Sequence, residues 1–419
     1  MASHRVPSGL LKLMRQPVTK TQIRCLSLHE RESQKMLIEL GVKVPRTKLV
    51  CSFNEVREVI RDLGTPCVVK AEIVGQNPQE VVFESGLQGA YHLVDTANKG
   101  VAIASQMLGG RLRRQSTQES RTVVKTLCVT ETVESDANWY LAMSVDRESY
   151  GPIIVISRNG GLSIDEIAKR NSTSFTFKFG LSSGITTSLI SQISTQLELS
   201  CVQSSNLKHL LQQIFKIFSQ KDATLLEINP LAVSEDGTLT SMSTRFIFDD
   251  AARERQPDIF ALRDTSLEVA EEVEAERHGL VYVKMQGNIG ILVNGAGLAM
   301  ATNDAICFEG GASANFLDTG GKATTKTMQK AFEIITRDER VRAILVNIYG
   351  GLTRCDMIAE SIIYAVKQLD IRVPMVVRLQ GTNSEQGLRL LEEAKLSLDL
   401  VVESDWRAAQ RVVELASLS

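Results

Sequence analysis

The chain has 419 residues, 43% of them hydrophobic and 23% charged, with a formal net charge of -2. That length supports two or three domains with full cores, and the near-neutral balance gives no global attraction to nucleic acid. No apolar run approaches the length of a membrane span, and seven cysteines and five histidines, none in zinc-ligand spacing, indicate a reducing compartment and exclude a zinc enzyme.

Residues 1–25 carry Arg5, Lys12, Arg15, Lys20 and Arg24, and the first acidic residue is Glu30. A basic, acid-free leader with interspersed Leu, Val and Ser reads as a mitochondrial transit peptide cleaved near Arg24, in preference to a disordered basic tail. Helical spacing follows from Ser33 to Leu40 and from Asn54 to Leu63, with a strand from Pro66 to Val74. An antiparallel-looking region from Val123 to Arg158 completes a two-lobed α/β module. Lys70 ends the first strand of that module, either as an exposed strand-end lysine or as a phosphate contact. Glu131 closes the segment Val129-Thr130-Glu131, and Leu226-Glu227-Ile228-Asn229-Pro230 reads as a strand. Alternation puts Glu227 and Asn229 on one face of it, as a buried polar pair capping a strand or as a functional pair.

Residues 253–280 are polar and acidic and form the passage between domains. Beyond them, strands and helices alternate regularly to about Leu379, the pattern of a doubly wound parallel sheet with ligands at the carboxyl ends of its strands. The stretch Gly287 to Gly321 opens that sheet with an apolar strand, an Asn294-Gly295-Ala296-Gly297 turn and a helix, and ends on a second strand at Asp318. Glycines before a helix N-terminus make a candidate anion site. The dinucleotide fingerprint fails, because Met300 stands where Gly or Ala is needed.

In wording, Gly287 to Gly321 resembles the ligase domain of the β subunit of succinyl-CoA synthetase, the succinate–CoA ligase that forms ATP or GTP. The resemblance covers roughly residues 28–416. It implies a transit peptide over 1–25, an ATP-grasp domain over 26–252, a linker over 253–280 and a flavodoxin-like CoA-ligase domain over 281–419. It assigns Lys70 and Glu131 to the nucleotide and Glu227 to a catalytic place facing a travelling phosphohistidine. Asn229 becomes a Mg2+ ligand, and Asn294, Gly351, Leu352 and Thr353 are assigned to succinate. Arg378, in Val376-Val377-Arg378-Leu379, is retained. The implied cofactors are Mg2+ and ATP/ADP or GTP/GDP. The implied partners are succinate, CoA and an α subunit carrying the histidine nucleophile, in the mitochondrial matrix and the tricarboxylic acid cycle, with no nucleic acid and no membrane span.

The main departures fall on the nucleotide side, with two mild ones in the ligase half, Gln286 in place of Asp and Ser313 in place of Pro. Gln76-Asn77-Pro78-Gln79-Glu80 stands where the family has a Gly-rich basic loop, Asn138 replaces a glutamate, and the second metal-ligand position is Ser243 instead of aspartate. Each lost charged hydrogen bond costs roughly 1.5–3 kcal/mol. Asp249 lies six residues along the strand from Ser243, roughly 20 Å away, too far to substitute. Two readings follow: an active ligase subunit with altered nucleotide contacts, or a pseudoenzyme paralogue with a structural or regulatory role in an α/β complex.

Overall fold

A computed structural model describes residues 25–74, 81–113, 123–161, 174–321, 323–396, 398–403 and 405–418. Residues 1–24 of the leader and the Gln76 to Glu80 substitutions lie outside the described residues. The chain divides into two units between Asp264 and Thr265.

In the first unit the chain runs β1 (Cys25–Ser27), α1 (Glu30–Glu39), β2 (Thr47–Val50), α2 (Phe53–Leu63), β3 (Cys67–Ala71), β4 (Val82–Phe83), β5 (Tyr91–Val94), α3 (Ala97–Met107), β6 (Leu112–Arg113) and β7 (Leu127–Glu131). It continues with β8 (Ala137–Asp146), β9 (Gly151–Ser157), β10 (Ser174–Lys178), α4 (Thr187–Gln196), α5 (Cys201–Gln220), β11 (Ala223–Val233), β12 (Leu239–Ser241) and β13 (Thr244–Asp249). β2, β7, β3 and β5 make a four-stranded antiparallel sheet whose core, with Val69, Val129 and Ile60, is roofed by α2 and α3. A seven-stranded antiparallel sheet has the order β1-β13-β11-β8-β9-β10, with β12 on β11. Its two faces differ. Leu226, Ile228, Leu141 and Phe246 pack with Leu211 and Ile214 of α5 in the large core, while Tyr140, Ala142, Ile153, Val155 and Leu225 form a small cluster on the other side.

Residues 253–280 are shared between the units. A short helix, α6 (Pro257–Phe260), puts Ile259 into the first core, and α7 (Ala270–Arg277) puts Ala275 into the second.

The second unit contains β14 (Val281–Lys284), β15 (Ile289–Val293), α8 (Ala296–Phe308), β16 (Asn315–Asp318), α9 (Thr325–Thr336) and β17 (Ala343–Gly350). α10 (Cys355–Leu369), β18 (Met375–Gly381), α11 (Ser384–Glu393), β19 (Leu400–Val402) and α12 (Arg407–Leu418) follow. The strand order is β14-β16-β15-β17-β18-β19, and every pairing is parallel except that of β14 with β16. The doubly wound sheet is therefore present, with an antiparallel edge strand that its sequence pattern does not reveal. One face packs against α7, α9, α10 and α11, and the other against α8 and α12. The chain leaves β15 to β16 on one side and returns to β17 on the other. That reversal opens a crevice beyond the carboxyl ends of β15 and β17, where such sheets bind ligands.

Candidate functional site

The crevice of the second unit is built from three successive strand ends. Asn294 follows β15, Gly321 follows β16, and Tyr349 to Thr353 end β17 and run into α10. Asn294, Gly321, Tyr349, Gly351, Leu352 and Thr353 line a cavity of about 190 Å³. All four residues expected to face succinate thus converge on one hollow.

Its walls are tied by hydrogen bonds. Asn294 Nδ2 donates to the Tyr349 carbonyl and the Tyr349 N–H donates back to Asn294 Oδ1, both at 2.8 Å, so one carboxamide closes the switch point like a rung of sheet. Thr353 Oγ1 donates to the Gly321 carbonyl at 2.8 Å. Asp318 Oδ1 accepts the N–H groups of Gly295 at 2.5 Å and Gly320 at 2.7 Å. The donor expected at the head of α8 for an anion is therefore partly taken by the chain's own carboxylate. Tyr349, Gly321 and Asp318 were not among the expected site residues. The signal for Tyr349 was adjacency to Gly351, and that for Asp318 and Gly321 was their place at the end of the Gly287 to Gly321 stretch.

Beneath the crevice, β17 and β18 pair Gly350 with Gly381, and Asn347 with Arg378. Gly381 has φ +91°, and a Cβ there would stand 2.1 Å from the Gly350 carbonyl oxygen. Gly381→Ala is expected to destabilise the fold by on the order of 3 kcal/mol, read as a lowered urea midpoint. Arg378 is buried; it donates to Asn347 Oδ1 at 2.9 Å and Gln380 Oε1 at 2.6 Å and lies over the Trp406 ring. Asn347 in turn donates to Thr302 Oγ1 at 2.8 Å. Burial lowers the Arg378 pKa, opposed by Asp405. Arg378 therefore braces strand ends under α8 and α12 and is not a lining group of the crevice.

In the first unit the assigned residues lie on both sheets. Lys70 reaches from β3 to donate to Glu30 Oε1 and to the Met242 carbonyl, each at 3.0 Å. Next in sequence, the Ser243 carbonyl accepts the Asn229 N–H at 3.0 Å. Lys70, Ser243 and Asn229 are therefore brought together. Asn229 Oδ1 is already engaged, accepting the Gly161 N–H at 2.7 Å. Glu227 shares its face of β11 with Asn229 and ion-pairs with Arg245 at 2.8 Å. Asn138 sits opposite Ala232 on β8.

Glu131 stands apart: its strand partner is Cys67, while that of Lys70 is Cys128, a separation of roughly 10 Å along the strand. Arg46 grips Glu131 through its N–H at 2.8 Å and its Nε at 2.6 Å. Partial burial would raise the Glu131 pKa, but these bonds outweigh it and lower it.

The donor set around Asn229 does not fit Mg2+. Among the described residues it offers the Asn229 carboxamide and Ser243, with the Glu227 carboxylate on the same strand paired to Arg245, whereas Mg2+ is held through carboxylates and phosphates. Among the described residues no group of three or more His, Cys, Asp or Glu side chains could hold a metal. No helix among them is long and apolar enough to cross a membrane. A larger depression of about 450 Å³ beside α4, lined by Thr187, Ser191 and Ser194, contains none of the assigned residues.

An antiparallel two-sheet nucleotide-type unit followed by a doubly wound unit with its site at the switch point defines the class of ATP-grasp CoA ligases. Residues 27–233 match the ATP-grasp domain family and residues 292–412 the CoA-ligase family. The chain belongs to the β-subunit family of succinate–CoA ligase. It is 38% identical over 405 residues to the mitochondrial ADP-forming β subunit of Neurospora crassa, spanning 96% of this chain and 90% of that one. To the mitochondrial GDP-forming β subunit of Dictyostelium discoideum it is 35% identical over 413 residues, 98% of each chain. To the hydrogenosomal ADP-forming β subunit of Neocallimastix frontalis it is 40% identical, spanning 95% of this chain and 91% of that one. The solved ATP citrate lyase of Methanothrix soehngenii, in complex with citrate and coenzyme A, has a TM-score of 0.69 and 17% identity. It covers 94% of this chain and 100% of that one, a likeness of fold.

Proposed function

We propose that this chain is the β subunit of a mitochondrial matrix succinate–CoA ligase, acting with an α subunit in the tricarboxylic acid cycle. The observation that carries it is the convergence of Asn294, Gly351, Leu352 and Thr353 on one cavity of about 190 Å³. That is below the roughly 300–1,000 Å³ of pockets for drug-sized ligands and suits a small dicarboxylate. Succinyl-CoA and phosphate give succinyl phosphate and CoA; a histidine of the α subunit takes the phosphoryl group and passes it to a nucleoside diphosphate. Residues 26–252 form the nucleotide domain and 281–419 the ligase domain, joined through 253–280. Asn294 and the 351–353 loop hold succinate, Glu227 faces the phosphohistidine, and Lys70 and Glu131 serve the nucleotide. Lys70 already donates to Glu30 and to the Met242 carbonyl, which leaves one N–H for a phosphate.

The Glu30 carboxylate competing for Lys70, together with a serine at 243 where a carboxylate is wanted, favours a second reading: a subunit that keeps the succinate and CoA side and has lost nucleotide chemistry. Reconstitution with an α subunit decides between them. The ligase reading expects ADP- or GDP-dependent release of CoA from succinyl-CoA. Absence of turnover, with no nucleotide binding by calorimetry, establishes the second reading. In that case Ser243→Asp with a restored Gly-rich basic loop at 76–80 is expected to recover nucleotide binding.

A further inference from the structure

We infer that Arg245 and Tyr140 are positioning residues for Glu227, gripping its carboxylate from the two strands that flank β11; this rests on reading Glu227 as the catalytic carboxylate of the ligase. Arg245 stands directly opposite Glu227 in the β11–β13 register, with its Nε 2.8 Å from Oε2. On the other flank the register partner of Glu227 is Ala142. Tyr140, two residues before it, points to the same face as a diagonal neighbour, a separation that an aromatic side chain bridges.

The Tyr140 hydroxyl is hydrogen-bonded to Glu227, and burial first, then the charge of Glu227, push its pKa well above the ordinary phenol value. It therefore remains a proton donor to the carboxylate throughout the working pH range. Ile153, Val155 and Leu225 make the interior of this face apolar, so Arg245 and Tyr140 bring charge and a hydroxyl to the carboxylate from its two flanking strands.

The side chain of Glu227 is 14% exposed and that of Arg245 31%, so the carboxylate rim is reachable while its orientation is set from below and beside. The Arg245 contact is an ion pair by proximity, since its Nε–H makes no hydrogen bond among the described residues, so Arg245 holds the carboxylate by charge and strand register. A group that must meet a travelling phosphoimidazole gains from that, since a displacement of about 1 Å costs on the order of 100-fold in rate.

The test is a cycle of Glu227→Gln, Arg245→Met and the double variant in the complex with its α subunit, with Arg245→Lys and Tyr140→Phe alongside. Arg245→Met is expected to lower kcat by roughly 10- to 100-fold, with KM for succinate, CoA and nucleotide within about two-fold. Arg245→Lys is expected to recover part of the loss, and Tyr140→Phe to lower kcat by roughly 3- to 10-fold. On the Glu227→Gln background, Arg245→Met should change kcat by less than about two-fold, because residues acting through one another are not additive.

Equal losses on both backgrounds, or a rise in KM at unchanged kcat, overturn the inference while the ligase reading stands. A wild-type complex without turnover overturns both. The double variant carries no stranded charge. Should Arg245→Met fail to fold, the cycle is run with Arg245→Lys, and the same additivity criterion decides.

Discussion

Asn294→Ala is expected to lower kcat/KM for succinate by about two orders of magnitude, with the fold retained. The carboxamide makes both hydrogen bonds that join the end of β15 to Tyr349, and Tyr349 begins the loop that lines the cavity with Gly351, Leu352 and Thr353. Truncation removes both bonds, which are solvent-exposed and contribute about 0.5–1.5 kcal/mol each, and lets the loop drift from the Asn294 side. The Thr353 bond to Gly321 keeps the other wall in place, so the loss is one of alignment and not of unfolding. Asn294→Asp separates the two contributions. Its oxygen still accepts from the Tyr349 N–H, but its second oxygen faces the Tyr349 carbonyl, and its charge opposes an arriving dicarboxylate. It should therefore raise KM for succinate more than Asn294→Ala does. Steady-state kinetics in both directions of the reaction reads the difference. An unchanged kcat/KM for Asn294→Ala would remove this cavity from the succinate site.

The second unit was legible in the sequence because both its signals are local. The apolar strands run continuously, as buried parallel strands do, and the cavity-lining positions directly follow them: Asn294 after Val293, Gly351 after Gly350. β14 escaped because an antiparallel edge strand leaves no mark in the strand–helix alternation. In the first unit the alternation of Glu227 and Asn229 could be read from five consecutive residues. Their partners could not, because Arg245 reaches Glu227 through the β11–β13 register, and Lys70 meets Glu30 across 40 positions and Met242 across 172. The Arg46 grip on Glu131 spans 85. Spacing places a residue on a face; only the pairing of strands decides which charge it meets.

The same holds for His29, whose sequence context gives no hint of its surroundings. The ring is buried at the start of α1, with Nδ1 3.2 Å from Glu72 and Nε2 3.0 Å from Asp264. Its pKa is raised, most by the adjacent Glu72 carboxylate and against the pull of burial, with Asp264 adding to it. Burial would lift the Glu72 carboxyl, yet His29, the Cys128 thiol and the Arg31 N–H together hold it below its usual range. Because the folded state raises the His29 pKa, the stability this contributes is complete below the unfolded value of about 6.5 and fades as pH rises through the folded one. Glu72 acts in the opposite direction, its contribution fading as pH falls through its lowered pKa.

His29→Ala strands a carboxylate that is only 4% exposed and is expected to cost the first unit about 3–5 kcal/mol near neutral pH, as breaking a buried pair does. His29→Ala with Glu72→Gln should recover much of that loss, because no buried charge is then left alone. Urea unfolding from pH 6 to 9 measures both effects. The wild-type midpoint should decline on the alkaline side while that of the double variant stays level. Parallel pH profiles for the two proteins would show that His29 is neutral in the fold, and that the contact with Asp264 at the end of the first unit does not depend on its charge.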